Sequence, residues 1–247
     1  MMEGFPVPLS DYRYRTELHC HSNPASPCSN FTPDEVIAHY APLGYDSIVL
    51  CNHFHAGIPG YEDKERFIEQ YLNDFAQTVE AAKPYGISVI FGCEIRFAKS
   101  GQRDNDYLLF GIEPKDIPVY YDYLDGSLAD FSAFFRNEEH LLIQAHPNRS
   151  NILPVDPSLL DGFEVFNLHP GHNSGIALAA KTAAENDFIV TCGTDFHHEG
   201  HQGLGALLTK EKITDPHQLC RVLKSRDYLF SIGRSVVLPY GVTEAFN

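Results

Sequence analysis

The sequence predicts an α/β protein in which strands and helices alternate around a closed or nearly closed barrel. Seven short apolar runs punctuate the 247 residues, and amphipathic helical patterns separate several of them. Several runs also end in histidine or a carboxylate, as expected where the loops at C-terminal strand ends gather a site. The chain is read as one domain over residues 1–247, a length that barrels of this class commonly reach.

The runs are Thr16–Cys20, Asp46–Cys51, Ile87–Cys93, Tyr107–Ile112, Leu141–Ala145, Gly162–Phe166 and Phe188–Cys192. After the first run, TPDEVIAHYAPLGY offers Thr32 as a cap, Pro33 at the first helical position and acids in the first turn. Next, DKERFIEQYLNDFAQTVEAAKPYG spaces Phe67, Ile68, Tyr71, Leu72, Phe75 and Val79 as a helix face and stops at Pro84 and Gly86. Before the seventh run, NSGIALAAKTAAEN predicts a helix capped by Asn173 or Ser174. The stretch AKSGQRDND after the third run reads as a loop beside the site.

Composition narrows the function. A formal charge of −15 opposes general affinity for a nucleic-acid backbone, so long nucleic acid is not the expected partner. Bound cations could still draw a small phosphate into an acidic pocket. No window approaches the length of a membrane span and no leader pattern opens the chain, so a cytoplasmic protein without membrane contact is expected. The six cysteines lie mostly in apolar runs and read as reduced packing residues.

His19 and His21 stand two apart, so on a strand both project to one face while Cys20 turns away. The pair alone is weak evidence, but it recurs: His53 follows SIVLCN, Glu94 follows VIFGC, His146 follows LLIQA, and Asp195 with His197 follows FIVTCGT. Imidazoles and carboxylates converging from separate elements are what a metal cluster requires. Pro147 pushes His146 toward an extended conformation and ends its strand. Arg149 is placed to reach a substrate phosphate, whereas Arg96 and Arg103 read as cations paired with carboxylates. Glu164 and Asn167 read as supports. His55, His169, His172, His198 and His201 read mostly as loop-surface histidines near the same strand ends.

In order, HCHS, VLCNHFH, GCEI, AHP and GTDFH resemble the motifs of the PHP superfamily, metal-dependent phosphoesterases of the polymerase and histidinol phosphatase type. The resemblance covers most of the chain and implies a distorted seven-stranded (β/α)7 barrel with two or three divalent ions at one end. It implies that His19, His21, Glu94 and Asp195 hold one ion, that Glu94 bridges to a second ion on His146, and that His53 and His197 hold a third. Cys28 falls near the position of a further ligand in the first motif and reads equally as a loop residue. Two departures stand out: Asn52 replaces the usual aspartate before His53, and Asp106 is the nearest substitute for a missing histidine.

The expected activity is hydrolysis of a small phosphate ester by a metal-bound hydroxide, with Glu94, Asp195 and Arg149 as its catalytic residues. Zinc, manganese and iron all suit imidazole with carboxylate, and a Cys28 contact would favour zinc. The alternatives are an amidohydrolase-like metal enzyme acting on C–N bonds and a noncatalytic metal-binding module. Oligomeric state is not legible.

Overall fold

The structure is a computed structural model that describes residues 9–98, 105–152 and 155–240. Each predicted apolar run contains or overlaps a strand. These are β1 (Tyr14–Cys20), β2 (Ser47–Leu50), β4 (Ser88–Phe91), β6 (Tyr107–Phe110), β7 (Leu141–Gln144), β8 (Gly162–Asn167) and β9 (Ile189–Gly193). Two short strands, β3 (His53–Phe54) and β5 (Cys93–Ile95), continue β2 and β4 after brief interruptions. Three more follow β9: β10 (Gly205–Thr209), β11 (Leu229–Ile232) and β12 (Ser235–Val237).

The expected closed or nearly closed seven-stranded barrel does not appear as one closed sheet. Two six-stranded mixed sheets form instead, one in the order β12-β11-β10-β1-β2-β4 and the other β3-β5-β6-β7-β8-β9. They divide where Cys51 and Asn52 interrupt one strand and Gly92 the other. Bonds from Gly92 N to Leu50 O and from Glu94 N to Asn52 O carry the pairing across both gaps. At the far side, His21 N to Phe196 O and Phe196 N to His19 O, each 3.2 Å, tie the end of β1 to the chain beyond β9.

The sheets are also less parallel than expected, since β6 runs antiparallel to both β5 and β7. Residues 96–106, which join β5 to β6, are fewer than the dozen or so that a parallel crossover needs. Most of the AKSGQRDND loop, with Arg103, lies outside the described residues.

Helices cover the sheets where the periodicity placed them. On α1 (Pro33–Tyr40), Pro33 occupies the first turn and the Glu35 carboxylate accepts from Thr32 N at 2.9 Å. The long helix α2 (Lys64–Ala82) is capped by Asp63 and buries Phe67, Tyr71 and, unexpectedly, Asp74. Two short helices, α3 (Ile117–Tyr121) and α4 (Leu128–Phe135), separate β6 from β7, and α6 (Pro216–Ser225) precedes β11. The cap of α5 (Ile176–Glu185) is Gly175 at φ 57°, not Asn173 or Ser174. Both polar side chains are otherwise engaged: Asn173 Oδ1 accepts from Gly175 N and Ser174 Oγ bonds Asn167 Oδ1.

Cys20, Cys51, Cys93, Cys192 and Cys220 are buried packing residues, and Cys28 is exposed. No helix of the described residues is long and apolar enough to cross a membrane.

Candidate metal centre

His19 and His21 face the centre, while a shift of register between Glu17 and Cys20 leaves Glu17 on the side of Cys20 and Tyr40; Glu17, His19 and His21 are all fully buried. His53 opens β3 directly opposite Glu94 on β5, which sets those two side chains together by register. Asp106 stands just before β6, His146 just past β7, and Asp195 and His197 just past β9. His146 and Asp195 adopt left-handed backbone, with φ of 32° and 52°. For His146 this corrects the extended conformation expected before proline. Its amide donates to Glu164 Oε2 at 3.1 Å and its ring turns in toward Glu94, so local tethers override the preference.

Glu94 is the hub. Its Oε1 lies 3.5 Å from His19 Nε2 and 3.3 Å from His146 Nε2. Its Oε2 lies 3.5 Å from His21 Nε2 and 2.8 Å from His53 Nδ1. Asp195 Oδ1 is 3.7 Å from His19 Nε2, 3.4 Å from His21 Nε2 and 3.2 Å from His197 Nδ1. His53 and His197 face each other through their Nε2 atoms at 3.4 Å.

Despite this crowding, His19 Nε2, His21 Nε2, both Glu94 oxygens and Asp195 Oδ1 are buried without a hydrogen-bond partner among the described residues. Burying such groups unpaired is costly, and native structures rarely tolerate a cluster of them. Lone pairs aimed at a common point fit a divalent cation. Three groups of side chains bring possible ligand atoms within 4.8 Å of one another: His19, His21 and Glu94; Glu94, Asp106 and His146; and His21, His53 and His197.

Charge follows the same plan. Burial works against ionising Glu94, but His53 and His19 hold its carboxyl well below the usual range. Asp195 is likewise held down, against burial, by His19 and His197. Burial, with His197 and His53 nearby, pushes His21 well below the ordinary imidazole value, favouring the neutral ring a ligand needs.

A second layer orients these side chains. Glu164 Oε1 accepts from His19 Nδ1 at 2.8 Å, leaving Nε2 for the centre. Asn167 Nδ2 donates to Glu164 Oε2 at 2.9 Å, so both expected supports are in place. Arg149 Nη2 pairs with Asp195 Oδ2 and leaves Oδ1 free. Asp106 sits in its ligand group but is also forked by Arg96 at 2.7 Å through both Nε and Nη2. Arg96 is thus carboxylate-paired, as expected. Burial and the Glu94 charge raise the Asp106 carboxyl, with Arg96 opposing.

Cys28 belongs to none of the three groups. It lines a cavity of about 230 Å³ over the centre, with His53, Asp106, His146, Arg149, His169, His172, Asp195, His197 and His198. Burial opposes its ionisation, but hydrogen bonds with His197 and His53 lower the thiol to about 6. His201 packs on His169 with ring centroids 4.4 Å apart, and His55 lies 5.8 Å from His53.

The sequence reading missed Glu17 and Asp74. Glu17 Oε1 accepts from His19 N at 3.0 Å and Thr194 N at 2.9 Å, joining β1 to the segment that bears Asp195. Burial raises its carboxyl to about 7 against these bonds. No periodic signal marked it, since the register shift after Glu17 turns its side chain toward Tyr40, away from the face of His19 and His21. For Asp74 the signal was an acid on the buried face of α2, between Tyr71 and Thr78.

The family model for the PHP domain matches residues 17–219. A PolC-type DNA polymerase III from Oceanobacillus iheyensis is 20% identical over 238 residues, covering 87% of this chain; the chain spans 15% of that protein's length. A candidate metal-dependent phosphoesterase from Bifidobacterium adolescentis superposes with a TM-score of 0.53 at 17% identity, over 85% of this chain and 95% of that one. A two-domain protein from Bacteroides vulgatus containing a predicted PHP-like metal-dependent phosphoesterase gives 0.55 at 15% identity, over 90% and 66%. An amidohydrolase from Chromobacterium violaceum, with bound sulfate and no metal, gives 0.50 at 15% identity, over 91% and 98%. At these identities the structural likeness establishes a shared fold.

Proposed function

This chain belongs to the PHP domain family, and from that premise we propose that it hydrolyses a small phosphate ester at a centre of two or three divalent ions. The observation that carries the proposal is the convergence of buried imidazoles and carboxylates in three overlapping groups, with His19 Nε2, His21 Nε2 and both Glu94 oxygens unpartnered among the described residues. His19, His21, Glu94 and Asp195 would hold one ion, Glu94 and His146 with Asp106 a second, and His53 and His197 with His21 a third. Zinc, manganese and iron all match this imidazole and carboxylate set.

When bound, such ions supply Lewis acidity and lower the pKa of a water for attack on phosphorus. The protein's own part is to orient and to balance charge. Glu94 is common to two of the three groups, so its carboxylate would serve both of the ions they hold. Arg149, anchored through Nη2 to Asp195, lines the cavity, where its guanidinium can donate to a phosphate oxygen. Its anchor also keeps Asp195 Oδ1 turned toward His19 and His21.

A cavity of about 230 Å³ suits a phosphate with a small leaving group, and the net charge of −15 disfavours a long nucleic acid. The test loads chelator-stripped protein with manganese, zinc or iron and assays phosphomonoesters, short phosphodiesters and amides. Phosphomonoester turnover that depends on metal and is lost in Asp195→Asn is the expected result. Turnover confined to amides, or metal binding without any turnover, overturns the proposal.

A further inference from the structure

We infer that Asp74 is a positioning residue: acting through Asn52 and Ser26, it fixes His21 with the proton on Nδ1 and the Nε2 lone pair facing the metal centre. The inference rests on the proposed role of His21 as a ligand, and it accounts for asparagine at position 52.

The assignment follows from counting protons. Ser22 N is a backbone donor 2.8 Å from Asn52 Oδ1, which identifies that atom as the oxygen of the amide. Ser26 Oγ lies 2.9 Å from the same oxygen and must spend its one proton there. The backbone N–H of His53 donates to Ser26 Oγ at 2.8 Å. Ser26 Oγ therefore meets His21 Nδ1, 3.1 Å away, only as an acceptor, and Nδ1 carries hydrogen. In the neutral ring Nε2 is then bare. It is the atom that lacks a partner among the described residues while lying 3.4 Å from Asp195 Oδ1.

Asp74 sets the direction of this chain of bonds. Its carboxylate, 1% exposed on α2, accepts from Asn52 Nδ2 at 2.7 Å and also from Ser22 Oγ. Asn52 Nδ2 is thereby drawn toward the helix and Oδ1 toward Ser22 and Ser26. An aspartate at position 52 would serve Ser22 N and Ser26 equally well, but it would bring two carboxylates together at the 2.7 Å now spanned by a hydrogen bond. Asn52 and Asp74 form a matched pair, one supplying the donor and the other the charge.

The test uses the full chain and is read first without metal. Long-range ¹⁵N–¹H correlation on chelator-stripped protein reports the tautomer of His21, assigned by the signal lost in His21→Asn. Wild type is expected to show hydrogen on Nδ1, and Ser26→Ala to populate the other tautomer. In titrations with manganese alone, Asn52→Asp is expected to bind about tenfold more weakly, and the double variant N52D/D74N, which transposes donor and charge, to recover to within about twofold. Hydrogen on Nε2 in wild type overturns the inference, as does a folded double variant that binds no better than N52D. If N52D does not fold, the Ser26→Ala spectrum decides. An Nδ1–H His21 in a protein that turns over no phosphoester supports this inference while the proposed function fails.

Discussion

His19 and Glu164 meet through a buried hydrogen bond of 2.8 Å from Nδ1 to Oε1 that joins β1 to β8. The other Glu164 oxygen accepts from His146 N at 3.1 Å, so one carboxylate orients the ring of one candidate ligand and the backbone of another. Glutamine at 164 would turn an amide N–H toward one of those donors. Glu164→Gln is expected to weaken manganese binding about ten- to hundredfold, measured by calorimetry on chelator-stripped protein. Affinity equal to wild type would show that Glu164 does not set the ligands.

Removing a ligand itself should cost more than removing its support. His19→Ala and Asp195→Ala are each expected to lower bound metal by about one equivalent in elemental analysis, with circular dichroism unchanged. Wild-type stoichiometry in both variants contradicts the ligand assignment.

Gly193 ends β9 where the backbone passes beside His19 and Glu164. A Cβ there would stand 2.4 Å from His19 Cβ and 2.5 Å from Glu164 Oε1. Gly193→Ala is expected to destabilise the protein by about 1–3 kcal/mol, the range for overpacking a filled interior, and to weaken metal binding with it. Denaturant melts give the first effect and calorimetry the second. An alanine variant matching wild type in both would refute this close packing.

Metal should also be felt in stability, because the ions bind only the folded arrangement. At a free concentration of about 100 times Kd, one site adds about 2.7 kcal/mol, or about 5–10 °C for a chain of this size. Thermal melts with chelator and with manganese measure the difference. Superimposed melts would mean that the buried donors are satisfied without an ion.

Much of this site was legible because strands have a period of two and ligands cluster at strand ends. His19 with His21, and Asp195 with His197, announce themselves by spacing, and His53, Glu94 and His146 by the apolar runs before them. The antiparallel placement of β6 and the division into two sheets were not legible, since both depend on loop length and on interruptions at Asn52 and Gly92 that carry no periodic signal. Local preference also failed at His146, where the pull of Glu164 and Glu94 outweighs the rule for residues before proline. The supports behind His21 were the least visible. Ser22, Ser26 and Asp74 come from a turn and a distant helix, and only folding places them behind His21.

The central claim is that separate strand ends enclose a shared group of divalent cations. Anomalous scattering from crystals grown with manganese tests it most directly. The account predicts peaks within bonding distance of His19 Nε2, His21 Nε2, Glu94 and Asp195 Oδ1, with at least one more beside His146 or between His53 and His197. A map from metal-replete crystals with no peak at Glu94, and with its oxygens bonded instead to protein or water, would contradict it.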